Sequence, residues 1–389
     1  MSIMELPYKI LVVDDEPDLE PLMLQRMRRY IRQGRYTFVF ARNGLEALDR
    51  LNQDGDIDMV LSDINMPQMD GLTLLEQIPK VDPDIRSVII SAYGDMKNIR
   101  TAMNRGAFDF VTKPVDFKDL QITIERTLSH MQEWREALSY RDRLVSIQNE
   151  LEVASRIQQS ILPSEFPDDP RYQLHGHMEP ARDVGGDFFD ILDLDRGRMG
   201  LAIADVSDKG VPAALFMMSC RTLLKGVAIG LAEPGAVLSE VNQLLHEDNE
   251  TFLFVTVLYA LYDPSNGDFI YASGGHDAPL LVRADGSTTL LPLTDGIALG
   301  VLPDLEYRQH KIRLEPGDTI VLYTDGVTEA QNTDEKPFEV KGLQNIFTGP
   351  GSSLGARDGT DAVFQQVRDF MGKAAQFDDI TCLTLHRDM

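Results

Sequence analysis

Residues 199–206 have the sequence Met-Gly-Leu-Ala-Ile-Ala-Asp-Val, an apolar run that is typical of a buried strand and ends beside an aspartate. Three more aspartate-bearing loops lie in the same half of the chain, at 185–187 (Gly-Gly-Asp), 323–326 (Tyr-Thr-Asp-Gly) and 378–381 (Asp-Asp-Ile-Thr). Carboxylates that converge at strand ends repel one another unless cations lie between them. Carboxylate oxygens are hard ligands that suit Mg²⁺ or Mn²⁺. The pattern therefore predicts a metal site in the second half of the chain.

Length and composition restrict the classes of protein to which the chain can belong. A chain of 389 residues predicts two or three domains. The formal net charge of −25 argues against nucleic acid or an anionic membrane as a partner. Cys220 and Cys382 follow no metal or redox spacing, residues 1–7 lack a signal-peptide pattern, and the apolar stretch 252–261 is too short to span a bilayer. We expect a cytoplasmic protein.

The first third of the chain alternates strand-like and helical patterns. Short apolar runs predict strands, and apolar spacings of three and four between them predict helices. Such repeated strand–helix units predict a doubly wound parallel sheet with helices on both faces. The strands are expected at 9–13, 37–40, 57–61, 87–90 and 108–111, and helices at 19–31, from 43–44 onward and around 98–104.

Acidic residues follow two of these strands. Asp14, Asp15 and Asp63 are expected at the carboxyl edge of the sheet, where ligands bind in open α/β folds. Together they would hold one Mg²⁺ ion. Ser91 and Lys113 follow later strands and offer a hydroxyl group and a positive charge to a phosphoryl group. The set describes a site where a carboxylate attacks a phosphoryl donor and becomes an acyl phosphate.

These residues also carry a family resemblance. Val-Asp-Asp-Glu (13–16), Ser-Asp-Ile-Asn-Met-Pro (62–67), Asp70-Gly71, Ser91-Ala92 and Thr-Lys-Pro (112–114) make residues 7–127 similar to a flavodoxin-like response-regulator receiver domain. The resemblance implies that Asp63 accepts a phosphoryl group from a cognate histidine kinase. It further implies Mg²⁺ ligands in Asp15, Asp63 and the Asn65 carbonyl with help from Asp14, phosphoryl sensing by Ser91 and Lys113, a switch aromatic at Phe110, and a cis Lys113–Pro114 bond.

A long helix is predicted from about residue 117 to residue 162, because the segment contains almost no glycine or proline. Its apolar positions fit a coiled-coil seam whose phase shifts near residues 140–143. Residues 128–162 are therefore predicted to be a helical linker that forms a parallel homodimer. An amphipathic helix that packs on its own domain is the alternative. The seam positions are Leu128, Met131, Trp134 and Leu138, then Leu144, Ile147, Leu151, Ala154 and Ile161.

Residues 163–389 predict a mixed, mainly antiparallel α+β domain, with helices near 212–229 and 235–246 and a surface loop at 341–359. Two divalent ions about 4 Å apart can activate a water and orient a phosphate for in-line attack. Asp205 is the natural bridging ligand because it directly follows an apolar strand. The other expected ligands are the Val206 carbonyl, Asp187, Asp325 and Asp378.

The motifs at 184–190, 204–215, 323–330 and 378–381 resemble those of the bacterial, protein phosphatase 2C-like branch of metal-dependent phosphatases. The similarity covers about residues 150–387 and includes Ser-Gly-Gly-His (273–276) and Ile-Gln-Gln-Ser-Ile-Leu-Pro (157–163). It implies an α–β–β–α sandwich with two Mn²⁺ or Mg²⁺ ions. The implied substrates are phosphoserine or phosphothreonine on proteins such as anti-sigma-factor antagonists.

Some positions around these motifs remain open. Asp208 stands where the family usually has glycine, and Ser207 stands where eukaryotic relatives have a histidine, so no general acid is assigned. Water could serve, and His276 is an alternative. Arg182 is suited to a phosphate contact or is an exposed arginine without a role. Gly186, beside Asp187, is assigned to the binding site.

Two functions of different classes follow. The main hypothesis is a protein serine/threonine phosphatase that is controlled by phosphorylation of Asp63. The alternative is a non-catalytic adaptor whose phosphatase-like domain binds a sigma factor or an antagonist protein. The complete set of four aspartates favours the enzyme. A two-metal phosphodiesterase is disfavoured because the sequence has no base-stacking or ribose-binding pattern.

Overall fold

The structure is a computed structural model that describes residues 7–92, 94–231, 233–247, 249–293, 296–348 and 354–388, without the side chain of residue 196. The chain divides into two compact units, Met1–Ser146 and Ile147–Met389. Each unit has its own hydrophobic core.

The first unit is a five-stranded parallel sheet of strand order β2-β1-β3-β4-β5. Ile10 packs into the core on one face of the sheet, and the adjacent Leu11 packs into the core on the other. Burial on both faces explains the continuous apolar runs. The doubly wound, flavodoxin-like prediction is confirmed. The elements are β1 (Tyr8–Val13), α1 (Leu19–Arg26), α2 (Arg28–Arg32), β2 (Tyr36–Ala41), α3 (Gly44–Gln53), β3 (Met59–Asp63), α4 (Gly71–Val81), β4 (Arg86–Ala92), α5 (Met96–Asn104) and β5 (Asp109–Lys113).

Helix α6 (Phe117–Ile161) is the long helix that the sequence predicts. Its first turns belong to the first unit, because Leu128 and Met131 are buried in that core. The sequence predicts both residues at the coiled-coil seam, and that prediction is wrong: their helical spacing serves intramolecular packing. Leu144 and Ile147 are 67% and 45% exposed. For this middle part of α6, dimerisation stays a prediction.

The second unit consists of two five-stranded sheets, β13-β10-β9-β8-β7 and β12-β11-β14-β15-β6. Residues of both sheets, among them Leu201 and Leu383, form the core between them. Helices α7 and α8 cover the outer face of the first sheet, and α10 and α11 cover that of the second. The predicted α–β–β–α sandwich is confirmed. The elements are β6 (Tyr172–Glu179), β7 (Phe188–Leu194), β8 (Arg198–Val206), α7 (Val211–Gly230), α8 (Pro234–Glu247), β9 (Val255–Asp263), β10 (Asp268–Gly274), β11 (Leu280–Val282), β12 (Thr288–Leu290), β13 (Gln309–Arg313), β14 (Thr319–Tyr323), α9 (Asp325–Thr328), α10 (Glu339–Ile346), α11 (Ala356–Met371) and β15 (Ile380–Arg387).

Helix α7 is the one helix in the described part of the chain that is long and apolar enough to cross a membrane by length and composition alone. Its apolar residues at helical spacing, including Ala213, Met217 and Leu224, are fully buried in the core against the sheet. The packing accounts for the apolar composition of this helix.

The predicted surface loop at 341–359 is wrong at both ends. Helix α10 continues to Ile346, and α11 begins at Ala356; residues 349–353 lie outside the described part. Leu343 and Phe347 are buried in the core of this layer, so tertiary packing stabilises the helix despite the neighbouring glycines.

Candidate active site and phospho-acceptor site

The strand ends of the first unit bring three carboxylates together. Asp63 is the last residue of β3, and Asp14 and Asp15 follow β1. One carboxylate oxygen of each lies within 4.8 Å of the others. Asp14 and Asp63 are buried, and Asp15 is exposed. An all-oxygen set that is open to solvent on one side fits a Mg²⁺ ion that keeps several water ligands.

Lys113, at the end of β5, joins this group. Its Nζ lies 3.1 Å from Asp63 Oδ2, 3.1 Å from Asp14 Oδ2 and 2.9 Å from Glu16 Oε1. Burial lowers the pKa of Lys113, but the three carboxylates outweigh burial and raise it. Burial raises the pKa of Asp63 against the opposing hydrogen bond from Lys113. The predicted cis Lys113–Pro114 bond is confirmed.

Ser91 is the predicted hydroxyl donor. Its Oγ is buried and is one of the few described side-chain atoms of that kind without a hydrogen-bond partner. Such an orphan is costly unless a ligand satisfies it, and a phosphoryl oxygen on Asp63 would do so. Asn65 lies two residues past Asp63 with an exposed side chain, and Phe110 is 37% exposed on β5.

In the second unit, Asp187 joins three of the aspartate loops. Its buried Oδ2 accepts hydrogen bonds from Thr324 Oγ1 and Thr381 Oγ1, both at 2.7 Å. The backbone N–H of Thr381 donates in turn to Thr324 Oγ1 at 3.0 Å. Thr324 directly precedes Asp325, and Thr381 follows the Asp378–Asp379 pair. The two threonines therefore hold three predicted metal-binding loops in one place.

Asp205, at the end of β8, belongs to the same carboxylate cluster. Burial, with the nearby carboxylate of Asp325, raises the pKa of Asp205 to about 7. Burial, with Asp378, raises the pKa of Asp325 to about 6. Burial and the charge of Asp205 also raise the pKa of Asp187. Carboxylates that resist ionisation because of one another are stabilised by bound cations.

The two acidic sites differ in their spread. Among the described residues, only the first-unit carboxylates form a group of three with oxygens mutually within 4.8 Å. No three carboxylates in the described part of the second unit have oxygens that all lie so close together. That spread fits ligands that are shared between two ions about 4 Å apart better than ligands gathered around one.

The raised pKa of Asp205 predicts how stability depends on pH without metal. The pKa of Asp205 is about 7 in the folded protein, above the usual 3.8. The stabilisation of the fold by protonated Asp205 is therefore complete below pH 3.8 and is lost as the pH rises through 7. Between about pH 5.5 and about pH 8, we expect the free energy of unfolding of the wild type to fall by about 2 kcal/mol relative to that of Asp205→Asn. Urea unfolding of both proteins in EDTA measures this difference; parallel pH profiles would contradict the prediction.

Two glycines allow the loop before Asp187 to approach its neighbours closely. A Cβ on Gly186 would lie 3.0 Å from the Val206 carbonyl oxygen, and one on Gly185 would lie 2.5 Å from Asp379 Oδ2. Any side chain at these positions would displace the loop. The Gly-Gly-Asp sequence is therefore a steric requirement of the site.

Asp379 is a residue that the sequence reasoning did not assign. It is buried, and its carboxylate accepts backbone hydrogen bonds from Ala181 at 2.7 Å and Gly186 at 2.6 Å, with a longer one from Asp187 at 3.4 Å. Asp379 thus fixes the loop that carries Asp187. The adjacent Asp378 is partly exposed and free of these backbone bonds. The sequence of an Asp-Asp pair does not indicate which aspartate accepts backbone hydrogen bonds and which is available to a metal ion.

Gln158, near the end of α6, is a second unassigned residue. Its Nε2 donates to the Gly185 carbonyl at 2.6 Å, and its Oε1 accepts from the Gly185 N–H at 3.0 Å. The side chain is buried, whereas that of Gln159 is exposed. The long helix therefore ends in a two-way hydrogen bond to the loop of Asp187.

Asp208 now has a physical explanation. Its φ of 74° lies in the left-handed region, which favours glycine but which Asp and Asn also tolerate. Its Oδ1 accepts a hydrogen bond from the N–H of Lys209 at 2.8 Å. Aspartate replaces the usual glycine here because the local turn permits it and its side chain stabilises the turn.

Three other predicted or considered positions surround the cluster. Arg182 is exposed, with Nη1 3.8 Å from where a Cβ on Gly210 would lie. His276 is buried, its Nδ1 is 2.9 Å from Thr256 Oγ1, and burial lowers its pKa to about 4. The imidazole is neutral at pH 7, so the structure speaks against His276 as a protonated general acid. Ser207 Oγ accepts from the Phe254 N–H at 2.9 Å and braces the loop.

Comparisons with known proteins agree with this architecture. Residues 10–125 match the family model "Response regulator receiver domain", and residues 195–388 match "Stage II sporulation protein E (SpoIIE)". Phosphoserine phosphatase RsbU of Bacillus subtilis is 28% identical over 274 residues, which cover 70% of this chain and 80% of RsbU. Protein IcfG of Synechocystis is 31% identical over 267 residues, 61% of this chain but only 42% of IcfG, so the chain spans less than half of that relative.

A solved structure shares the fold of the second unit. The SiaA-PP2C domain of Pseudomonas aeruginosa superposes with a TM-score of 0.54 at 22% identity, covering 63% of this chain and 99% of that domain. At this identity the likeness concerns the fold. With the two family matches and the two sites described above, the chain belongs to the response regulators in which a receiver domain is joined to a SpoIIE-type, protein phosphatase 2C-like phosphatase domain.

Proposed function

We propose that the chain is a cytoplasmic two-component response regulator whose output is a Mn²⁺- or Mg²⁺-dependent protein serine/threonine phosphatase. A histidine kinase phosphorylates Asp63, and the phosphatase unit acts on phosphoserine or phosphothreonine of a protein such as an anti-sigma-factor antagonist. The protein acts as a homodimer through α6. Likeness to a phosphoserine phosphatase, RsbU, supports the substrate class.

The observation that carries the proposal is the convergence of the aspartate loops on Asp187. Thr324 and Thr381 orient the Asp187 carboxylate through two 2.7 Å hydrogen bonds. The carboxylate of Asp325 lies close enough to Asp205 to raise its pKa, after burial. Two divalent ions, held by these groups, Asp378 and the Val206 carbonyl, would supply Lewis-acid activation of water and phosphate. A set arranged only for protein binding does not need four charged ligands at one rim.

The residues around the cluster support an anionic protein substrate. Arg182 and Arg156 line a groove of about 470 Å³ together with Glu152, Ser155, Pro180 and Asp183. The side chains of both arginines are exposed. In a protein of net charge −25, two exposed guanidinium groups in one groove would bind a phosphate group.

Control by the receiver is proposed to act through α6. Phosphorylation of Asp63 replaces the contact of that carboxylate with Lys113. The far end of the same helix carries Gln158, which is hydrogen-bonded to the loop of Asp187. A change in the position or order of α6 would therefore change the position of a metal ligand.

The deciding assay measures phosphate release from phosphorylated candidate antagonists and from para-nitrophenyl phosphate, with Mn²⁺ or EDTA and with or without beryllofluoride as an acyl-phosphate mimic. We expect release that requires Mn²⁺ and changes several-fold with beryllofluoride. Release from neither ester in Mn²⁺ would favour the adaptor. Release that is indifferent to beryllofluoride would reject the control by Asp63.

Gln158 provides a separate prediction. Gln158→Leu leaves the buried N–H and C=O of Gly185 unpaired, at a cost of roughly 1–3 kcal/mol for each group, and loosens the Asp187 loop. We expect Mn²⁺-dependent turnover to fall about tenfold or more, with a higher Mn²⁺ requirement. The matched control is Gln159→Leu on the exposed neighbour, which should retain turnover. Equal activity of the two variants would contradict a role of Gln158 in holding the Asp187 loop.

A further inference from the structure

Lys209 contacts the predicted metal ligand Asp378 in a way that the proposed reaction does not use. Its Nζ lies 2.9 Å from Asp378 Oδ2 and donates to the Phe377 carbonyl at 2.6 Å. The same ammonium lies 3.9 Å from the centroid of the Phe377 ring. These three contacts join the turn 207–210, which follows Asp205, to the segment 377–379 before β15.

The turn holds Lys209 in place for these contacts. Asp208 has a left-handed backbone conformation and accepts the N–H of Lys209, and Gly210 follows with a φ of 80°. The side chains of Lys209 and Asp378 are 24% and 28% exposed. The ion pair is therefore partly shielded from solvent, and the carbonyl and the aromatic ring stabilise the same positive charge.

A divalent ion on Asp378 and an ammonium at 2.9 Å from the same carboxylate compete for one negative charge. Like charges that close repel strongly in a partly buried site. We propose that the Lys209 ammonium group pairs with the Asp378 carboxylate in the metal-free enzyme and moves away from it when a divalent ion binds. Metal binding then separates the turn 207–210 from the segment 377–379 at this point.

This inference rests on the proposed metal centre, and its test does not require turnover. Isothermal titration calorimetry of the full chain with Mn²⁺ alone measures binding to the receiver site and to the phosphatase centre, and the dissociation constant of the phosphatase centre is that of the binding which Asp205→Asn removes. Lys209→Met removes the charge but keeps the length of the side chain, and it should bind Mn²⁺ about fivefold more tightly, which corresponds to about 1 kcal/mol for a partly exposed pair. Lys209→Arg retains the charge and should bind within about twofold of the wild type.

Two further variants separate competition from other effects. Arg182→Met removes a positive charge beside the same turn without touching Asp378, and it should change the Mn²⁺ dissociation constant less than Lys209→Met does. Lys209→Gln is a second neutral variant, should Lys209→Met fold poorly. A purely structural role for Lys209 predicts weaker Mn²⁺ binding when it is removed. Unchanged or weaker binding by the neutral variants, or an equal gain in Arg182→Met, would overturn the proposal.

The proposed function and this inference fail in distinguishable ways. If Lys209→Met binds Mn²⁺ more tightly but the protein releases no phosphate, Lys209 competes with the metal for Asp378 and the protein is not a phosphatase. If turnover requires Mn²⁺ but Lys209→Met leaves the Mn²⁺ dissociation constant unchanged, the protein is a phosphatase and Lys209 does not compete with the metal for Asp378.

Discussion

Asp205→Asn is expected to lower the Mn²⁺-dependent rate of phosphate ester hydrolysis by on the order of 10³-fold. Asp205 is the central member of the buried cluster, since the carboxylates of Asp325, Asp187 and Asp378 all act on its pKa. Asparagine keeps the shape of the side chain and removes the charge that ions would share. Because burial already raises the pKa of Asp205 to about 7, a neutral group is tolerated there and the fold should persist.

The measurement is the rate of para-nitrophenyl phosphate hydrolysis at saturating Mn²⁺, with circular dichroism to verify folding. Asp193→Asn is the matched control, because Asp193 lies exposed on the neighbouring strand β7, and its rate should equal that of the wild type. Substantial turnover by a folded Asp205→Asn protein would show that the ester is hydrolysed elsewhere, and the assignment of the centre would fall.

Asp63→Asn is expected to abolish phosphorylation of the receiver unit by a small acyl-phosphate donor such as acetyl phosphate. The nucleophile is lost, while the neutral amide still fits beside Ile64, whose N–H donates to Asp63 Oδ1 at 2.9 Å. The response of phosphatase activity to beryllofluoride should disappear with it. Phos-tag electrophoresis of the acid-stable, hydroxylamine-labile product, or mass spectrometry of the intact chain, measures the modification.

Asp70→Asn serves as the control for this second prediction. Asp70 caps α4 by accepting the N–H of Thr73 at 2.6 Å, and asparagine caps a helix about as well as aspartate. This variant should be phosphorylated like the wild type. If Asp63→Asn still accepted a phosphoryl group, another carboxylate, with Asp14 and Asp15 the nearest, would have to be the acceptor.

The strands and the acidic residues at their ends were predictable from the sequence because both depend on local pattern. The buried strands of the first unit are continuous apolar runs, and Asp14, Asp15 and Asp63 follow them directly, so the parallel sheet already implies that the three meet. The same logic predicted four aspartates at one rim in the second unit. The pattern could not predict which aspartates face the metal ions and which, like Asp379, hold the backbone of a neighbouring loop.

The remaining site residues depend on tertiary contacts between distant segments. Asp379 accepts the Gly186 N–H across 193 residues of sequence, and Gln158 pairs with Gly185 across 27. Nothing in the helical spacing of α6 distinguishes Gln158 from its exposed neighbour. Leu128 and Met131 failed as seam positions for a related reason: an apolar helical stripe does not specify whether it packs on its own domain or on a second copy.

The hydrogen bonds of Gln158 determine where a shortened phosphatase chain has to begin. A fragment of residues 163–389 would lack Gln158 and Ile161, and it would leave the buried backbone of Gly185 unpaired beside the Asp187 loop. Loss of activity in such a fragment would therefore reflect a damaged site and would say nothing about release from the receiver. A fragment that starts near residue 147, where the second compact unit begins, keeps the site whole and is the proper reference for asking what the receiver adds.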